Sequence, residues 1–212
     1  MIEGVIFDLD GVITDTAKYH FRAWKKLAQE IGIEIDEKFN ETLKGVSRTD
    51  SLKRILEYGG KLEMYSEEEI DSLCQKKNEE YREMLQELKK EDILPGIEEF
   101  IDELRENSIK IGLASVSKNA PMILEKLELS DKIDYIADPA KVEKGKPAPD
   151  IFIAAAEGIN IPIKNCIGIE DAVAGVEAMK SCNMRNIGIG VDADITLDST
   201  AQLSLEKLKE LD

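Results

Sequence analysis

Residues 4–16 read Gly4-Val5-Ile6-Phe7-Asp8-Leu9-Asp10-Gly11-Val12-Ile13-Thr14-Asp15-Thr16. Val5, Ile6 and Phe7 form an apolar run without polar alternation, the pattern of a strand buried on both faces of a parallel sheet. The run ends at two acids separated by one apolar residue, and Gly11 then breaks it. Residues two apart on a strand share a side, so Asp8 and Asp10 leave the C-terminal end of this strand toward one crevice. Open α/β sheets bind ligands in that crevice. Two carboxylates so close repel unless a cation lies between them or their pKa values separate. Asp and Gly after a strand are also ordinary turn chemistry, so the remainder of the chain decides.

Beyond this stretch, Phe21, Trp24, Ala28 and Ile31 recur three or four residues apart and Gly32 stops them, which predicts a helix. The loop Gly45-Val46-Ser47-Arg48 leads into a short helix carrying Leu52, Ile55 and Leu56, closed by Gly59-Gly60. Ser66-Glu67-Glu68-Glu69 matches a capping box. Ile70, Leu73, Cys74, Tyr81, Met84, Leu85 and Leu88 then mark one helix face, and Lys77 lies inside that stripe. The ordinary reading of such a lysine is a side chain that snorkels to water; the functional one is a charge presented to a shared cleft. Residues 15–88 are therefore expected as a helical cap domain, with 1–14 and 89–212 forming the core domain.

From residue 94 onward strand and helix alternate. Strands are expected at 109–114, 133–136, 166–169 and 187–191, with a closing helix through Leu203, Leu205, Leu208 and Leu211. The predicted fold class is α/β, a doubly wound, Rossmann-like core with a helical cap inserted after the first strand. Polar groups gather at four places: Asp8 and Asp10; Ser115 with Ser117, Lys118 and Asn119; Lys146 before a proline; and Glu170-Asp171. Asp8, Glu170 and Asp171 offer hard oxygen ligands that suit Mg²⁺. Ser115 and Lys146 offer a hydroxyl and a point charge for phosphate oxygens. Asp8 is then a candidate carboxylate nucleophile on phosphorus, and Asp10 a general acid and base.

The formal net charge of −16 over 212 residues argues against nucleic acid and anionic membranes as partners. A few local cations and a metal can still invert the potential in one pocket. Cys74, Cys166 and Cys182 lack metal-ligand spacing and fit a reducing compartment. The single histidine, His20, rules out multi-histidine metal sites. No apolar run approaches the roughly 18 residues of a membrane span, and Met1-Ile2-Glu3-Gly4 has no basic flank. The expectation is a cytoplasmic, monomeric enzyme acting on small molecules.

Asp8-Leu9-Asp10-Gly11-Val12, with Ser115, Lys146-Pro147 and Glu170-Asp171, resembles the haloacid dehalogenase superfamily of phosphotransferases over essentially the whole chain. The second acid, Asp10, is similar to that of its phosphatases and mutases rather than its dehalogenases. Asp8 to Thr16 followed by His20 and Trp24, the Gly45-Val46-Ser47-Arg48 loop, and Ser117-Lys118-Asn119 resemble its sugar-phosphate mutases. The resemblance implies interconversion of β-D-glucose 1-phosphate and D-glucose 6-phosphate through an aspartyl phosphate on Asp8 and a 1,6-bisphosphate. It implies Mg²⁺ held by Asp8, the backbone carbonyl of Asp10, Glu170 and Asp171, with Ser115 and Lys146 on the transferring phosphoryl group. Arg48, Ser117, Asn119 and Lys118 would hold the other phosphate. Gly45, Val46, Ser51, His20, Trp24 and Lys77 would complete the substrate site, and Thr16 would be a hinge. Val116 is a departure, since the family tends to have a smaller residue there. The alternative is a phosphatase of a small sugar phosphate or phosphoglycolate-like monoester, which shares the core residues but needs no second phosphate site.

Overall fold

The apolar run Gly4–Phe7 is strand β1, buried along its whole length. The computed structural model describes residues 2–211. With β2 (Lys110–Leu113), β3 (Tyr135–Ile136), β4 (Cys166–Glu170), β5 (Arg185–Ile189) and β6 (Ile195–Leu197) it makes one sheet in the order β3-β2-β1-β4-β5-β6. All pairings are parallel. The order reverses between β1 and β4, which is where such sheets open a ligand crevice.

Period-two alternation divides β1 between two cores. Val5 and Phe7 join one cluster with Phe100, Ile101 and Leu104 of α5 (Ile97–Glu106) and Ile123 and Leu124 of α6 (Ala120–Lys126). Ile6 joins the opposite cluster with Phe152 and Ala155 of α7 (Asp150–Gly158) and Val176 and Met179 of α8 (Val173–Ser181). Burying each such side chain contributes roughly 1.5–3 kcal/mol before entropy is counted. A short helix, α9 (Leu205–Lys209), closes the first of these layers through Leu208.

Between β1 and β2 the chain forms α1 (Ala17–Glu30), α2 (Glu37–Glu41), α3 (Arg48–Tyr58) and α4 (Glu67–Met84). Trp24, Leu27, Leu43, Leu52, Ile55, Leu56, Ile70 and Cys74 form a third cluster made entirely of residues from this insertion. The capping box at Ser66 is present, with Ser66 and Glu69 bonding reciprocally. The two chain crossings into the insertion are zipped together: the Thr14 hydroxyl donates to the Asp92 carbonyl at 2.8 Å and the Leu94 N–H to the Ile13 carbonyl at 2.9 Å.

Three details depart from expectation. The sheet has a sixth strand, Ile195–Leu197, whose three residues are too few to show alternation. The fifth strand starts at Arg185 and stops at Ile189, because Gly190 turns away at φ +68°. The closing helix covers only Leu205–Lys209, since Ser199 and Ser204 each cap a separate short turn.

Candidate active site

Sheet register builds the floor. Phe7 pairs with Ile169, so the next residues, Asp8 and Glu170, stand level on adjacent strands at the point where the strand order reverses. Lys146, from the loop before α7, reaches both: its Nζ donates to Asp8 Oδ1 at 2.6 Å and to Glu170 Oε2 at 2.8 Å. The Lys146 side chain is 0% exposed. Glu170 Oε1 also accepts the backbone N–H groups of Asp171 and Ala172, both at 3.2 Å. Two glycines make room for these acids. A Cβ at Gly175 would overlap the Glu170 carboxylate, and one at Gly11 (φ +88°) would overlap that of Asp171.

Asp8, Glu170 and Asp171 offer oxygens that all lie within 4.8 Å of one another. Burial, then the Asp8 charge, pushes the Glu170 carboxyl up to about 8. Burial and Asp8 likewise push Asp171 to about 7, with Lys44 opposing. Asp8 is also raised by burial, against the pull of Lys146. Burial would favour a neutral Lys146, but Asp8 and Glu170 outweigh it and hold the ammonium charged. Three carboxyls crowd one ammonium, and their raised values reflect how each resists ionising without further positive charge beside it. That donor set fits a divalent cation such as Mg²⁺, which takes carboxylates and water.

Asp10 turns toward the insertion. Its Oδ2 lies 3.7 Å from His20 Nε2, beyond hydrogen-bond length, and its Oδ1 is buried without a partner. Across the imidazole, His20 Nδ1 is 2.7 Å from Lys77 Nζ. When Lys77 is an ammonium, which can only donate, that contact puts the imidazole proton on Nε2, facing Asp10. Burial and then Lys77 push the His20 pKa down, which keeps the ring neutral. Lys77 corrects the snorkelling expectation: it is 1% exposed, with its Nζ 4.6 Å from the Trp24 ring centroid and 4.7 Å from that of Tyr81. Burial, then Arg48, brings its pKa down to about 7.

Asp8, Asp10, Asp171, His20, Trp24, Gly45, Val46, Arg48, Ser51, Lys77, Val116 and Ser117 line one cleft between sheet and insertion, together with Ala17, Asn40, Leu43 and Lys44. Gly45 (φ +69°) lets its loop approach Ala172 and Ala174. Ser47 caps α3, which places Arg48 in the first turn facing the cleft. The Arg48 guanidinium forms no ion pair or hydrogen bond among the described residues. The remaining expected residues do not line this cleft. Lys146 and Glu170 lie buried under its floor, as does Ser115, whose Oγ accepts the Ser117 N–H at 3.1 Å. Lys118 is exposed and borders an adjoining groove that shares Arg48 and Val116. Asn119 is turned to α4, donating from Nδ2 to Asn78 Oδ1 at 2.8 Å. Thr16 precedes α1 and is fully buried. Sequence reasoning missed Asn78 and the role of Lys44; Asn78 sits among ordinary polar residues of α4 and Lys44 in the turn after α2, with no pattern to distinguish either.

A family model described as haloacid dehalogenase-like hydrolase matches residues 2–183. The chain belongs to this family. It is 46% identical to the β-phosphoglucomutase of Bacillus subtilis, over 99% of this chain and 95% of that one. Its structure matches the crystal structure of a β-phosphoglucomutase from Clostridium difficile with a TM-score of 0.97 and 52% identity, covering 99% and 96% of the two chains. Identity falls to 29% with a phosphorylated carbohydrates phosphatase of Thermotoga maritima, covering 88% of this family member and 84% of the relative.

Proposed function

We propose that this chain interconverts β-D-glucose 1-phosphate and D-glucose 6-phosphate by passing a phosphoryl group through Asp8. The observation that carries the reading is Arg48. A half-buried guanidinium with no acidic partner among the described residues lines the same cleft as Asp8. Such a group is suited to gripping an anion bidentately. A cleft with Asp8 at one end and free cationic groups at the other accommodates a substrate phosphorylated at both ends, as an exchange through a sugar bisphosphate requires.

In the first half-reaction an Asp8 oxygen forms a bond to the phosphorus at one end of the bisphosphate while the bond from phosphorus to the sugar oxygen breaks. Asp10 supplies the proton to that leaving oxygen. In the second, the 6-hydroxyl of β-glucose 1-phosphate attacks the phosphorus on Asp8, the bond from phosphorus to the Asp8 oxygen breaks and frees the Asp8 carboxylate, and Asp10 takes the hydroxyl proton. Lys146, fixed between Asp8 and Glu170, orients Asp8 and offers positive charge to the phosphoryl oxygens. Mg²⁺, held by Asp8, Glu170, Asp171 and the Asp10 carbonyl, would neutralise charge on the same oxygens. The neutral His20 ring directs its Nε2–H toward Asp10. The insertion acts as a cap that excludes water from the aspartyl phosphate. Thr16 would serve as one hinge, and the Asn119–Asn78 bond would fasten cap to core.

The substrates are small sugar phosphates, and the chain carries no helix long and apolar enough to cross a membrane among the described residues. The free thiols of Cys74, Cys166 and Cys182 support a cytoplasmic setting, and the reading takes the enzyme as a monomer. The test is a coupled assay with Mg²⁺, β-glucose 1-phosphate and a trace of glucose 1,6-bisphosphate, following glucose 6-phosphate and free phosphate together. Glucose 6-phosphate with little free phosphate is the expected result. Stoichiometric phosphate release would replace the mutase reading with a phosphatase.

A further inference from the structure

Asn78 lies in the interior of α4, directly after Lys77. Asparagine is a poor residue for a helix interior, because its amide competes for the helix's own backbone groups. Here the amide reaches away from the helix, and Asn78 Oδ1 accepts a hydrogen bond from Asn119 Nδ2 at 2.8 Å. Asn119 is 7% exposed and holds the N-cap of α6. A side chain at that position ordinarily accepts a backbone N–H of the first turn, yet Asn119 makes no such bond. The pair is the one side-chain-to-side-chain hydrogen bond between insertion and core among the described residues.

The neighbours of both partners face the cleft. Lys77 and Ser117 line it together with Arg48, and Lys118 borders the adjoining groove that Arg48 shares. The loop from Ser115 to Asn119 is folded by its own serines: Ser115 Oγ accepts the Ser117 N–H at 3.1 Å, and Ser117 Oγ accepts the Asn119 N–H at 3.3 Å. Those bonds set the backbone and leave the Asn119 amide free to turn over, which exchanges donors for an acceptor. The bond to Asn78 Oδ1 settles the orientation. The second N–H of Asn119 Nδ2 then makes no hydrogen bond among the described residues. Buried beside the Arg48 end of the cleft, such a donor carries a desolvation cost until an anion takes it.

We propose that Asn78 is a positioning residue for Asn119: by accepting one amide N–H it keeps the second available to the substrate's non-reacting phosphate. The inference rests on the mutase reading above, which supplies that phosphate. No bond changes at that end of the sugar, so the contact serves binding, and its loss is read mainly as a raised KM.

The test compares wild type, Asn78→Ala, Asn119→Ser and the double variant, each with a thermal melt. Alanine suits a helix interior and serine an N-cap, so both changes keep the fold. The expected result for Asn78→Ala is a fall in kcat/KM for β-glucose 1-phosphate of roughly 2–12-fold, the range of one neutral hydrogen bond, carried by KM. Adding Asn78→Ala to Asn119→Ser should cost nothing further, because both act through one amide. Wild-type kcat/KM in Asn78→Ala, with or without faster phosphate release, would overturn the proposal, since the bond would then only fasten the cap. A fall confined to kcat, or one repeated in full in the double variant, would overturn it too. A wild-type enzyme that makes no glucose 6-phosphate would instead remove the mutase reading, and the inference with it.

Discussion

Replacing Lys146 by Met removes a fully buried ammonium and nearly preserves its volume. What remains is Asp8 and Glu170 without the donor that reaches them at 2.6 and 2.8 Å, beside Asp171. Breaking one buried pair by deleting a partner costs about 3–5 kcal/mol. For a protein of this size each kcal/mol lowers Tm by roughly 2–4 °C, so metal-free Lys146→Met should melt roughly 6–20 °C below wild type. The deficit has a defined pH dependence. Glu170 and Asp171, held at about 8 and about 7, lie above their ordinary values of 4.5 and 3.8. Below the ordinary values both folded and unfolded chains are protonated, and the acids cost nothing. As pH rises toward 8 the unfolded chain ionises first, so stability attributable to these groups is progressively lost. Lys146 holds both carboxyls below where burial alone would put them, so the loss is larger without it and the variant should lie nearer wild type at acid pH than at pH 8. Saturating Mg²⁺ should return part of the loss, about 2.7 kcal/mol at a hundred times its Kd, and at one fixed Mg²⁺ concentration the variant, with its extra uncompensated charge, should gain more than wild type. Melting curves in EDTA and in Mg²⁺ across that pH range decide it. A metal-free variant that melts with wild type at pH 8, or a deficit that shrinks as pH rises, would refute the charge accounting of the floor.

Arg48→Ala should lower kcat/KM for β-glucose 1-phosphate by roughly 10–150-fold, the loss of about 1.5–3 kcal/mol from a charged hydrogen bond. It should leave hydrolysis of a small phosphomonoester within a few-fold; equal losses on both substrates would argue against a second phosphate site. Gly175→Ala forces a methyl group into the Glu170 carboxylate, so Mg²⁺ affinity, measured by the metal-induced rise in Tm, should drop at least about tenfold, in line with disturbed ligand support. An unchanged Mg²⁺ titration would mean that Glu170 is not a ligand.

Much of the fold was legible because it is written in local pattern. The unbroken run Val5-Ile6-Phe7 marks a strand with both faces covered, and both faces of β1 do carry helices. Ser66 and Glu69 specify the start of α4 by reciprocal bonds that need only the right spacing. Ile195–Leu197 escaped because three residues carry almost no periodicity, and only pairing with β5 makes them a strand. The floor of the site was legible for a related reason: residues at strand ends are brought together by sheet register, so Asp8 and Glu170 had to meet once their strands were neighbours. The opposite wall was less so. Spacing along α4 did place Lys77 and Tyr81 on the inward stripe, but Asn78 meets Asn119 and Tyr81 meets His20 across tertiary contacts that no spacing reveals.

The distribution of charge explains how a chain of net charge −16 can hold a doubly phosphorylated ligand. Lys146 is paired with Asp8 and Glu170, so its charge serves the Asp8 end of the cleft alone. The cations facing the cleft without an acidic partner belong to the insertion, Arg48 and Lys77. Burial lowers the pKa of both, and Arg48 lowers Lys77 further, because each loses hydration and the two repel. A phosphate dianion placed between them reverses the balance, because it offsets both the lost hydration and the mutual repulsion. On the proposed reaction, the free energy that favours a closed cap would come from the substrate's non-reacting phosphate, remote from the phosphorus that Asp8 would attack. Binding energy remote from the reacting centre is then used to assemble the site. Water, which carries no such charge, gains no comparable closure and is left a poorer acceptor for the phosphoryl group.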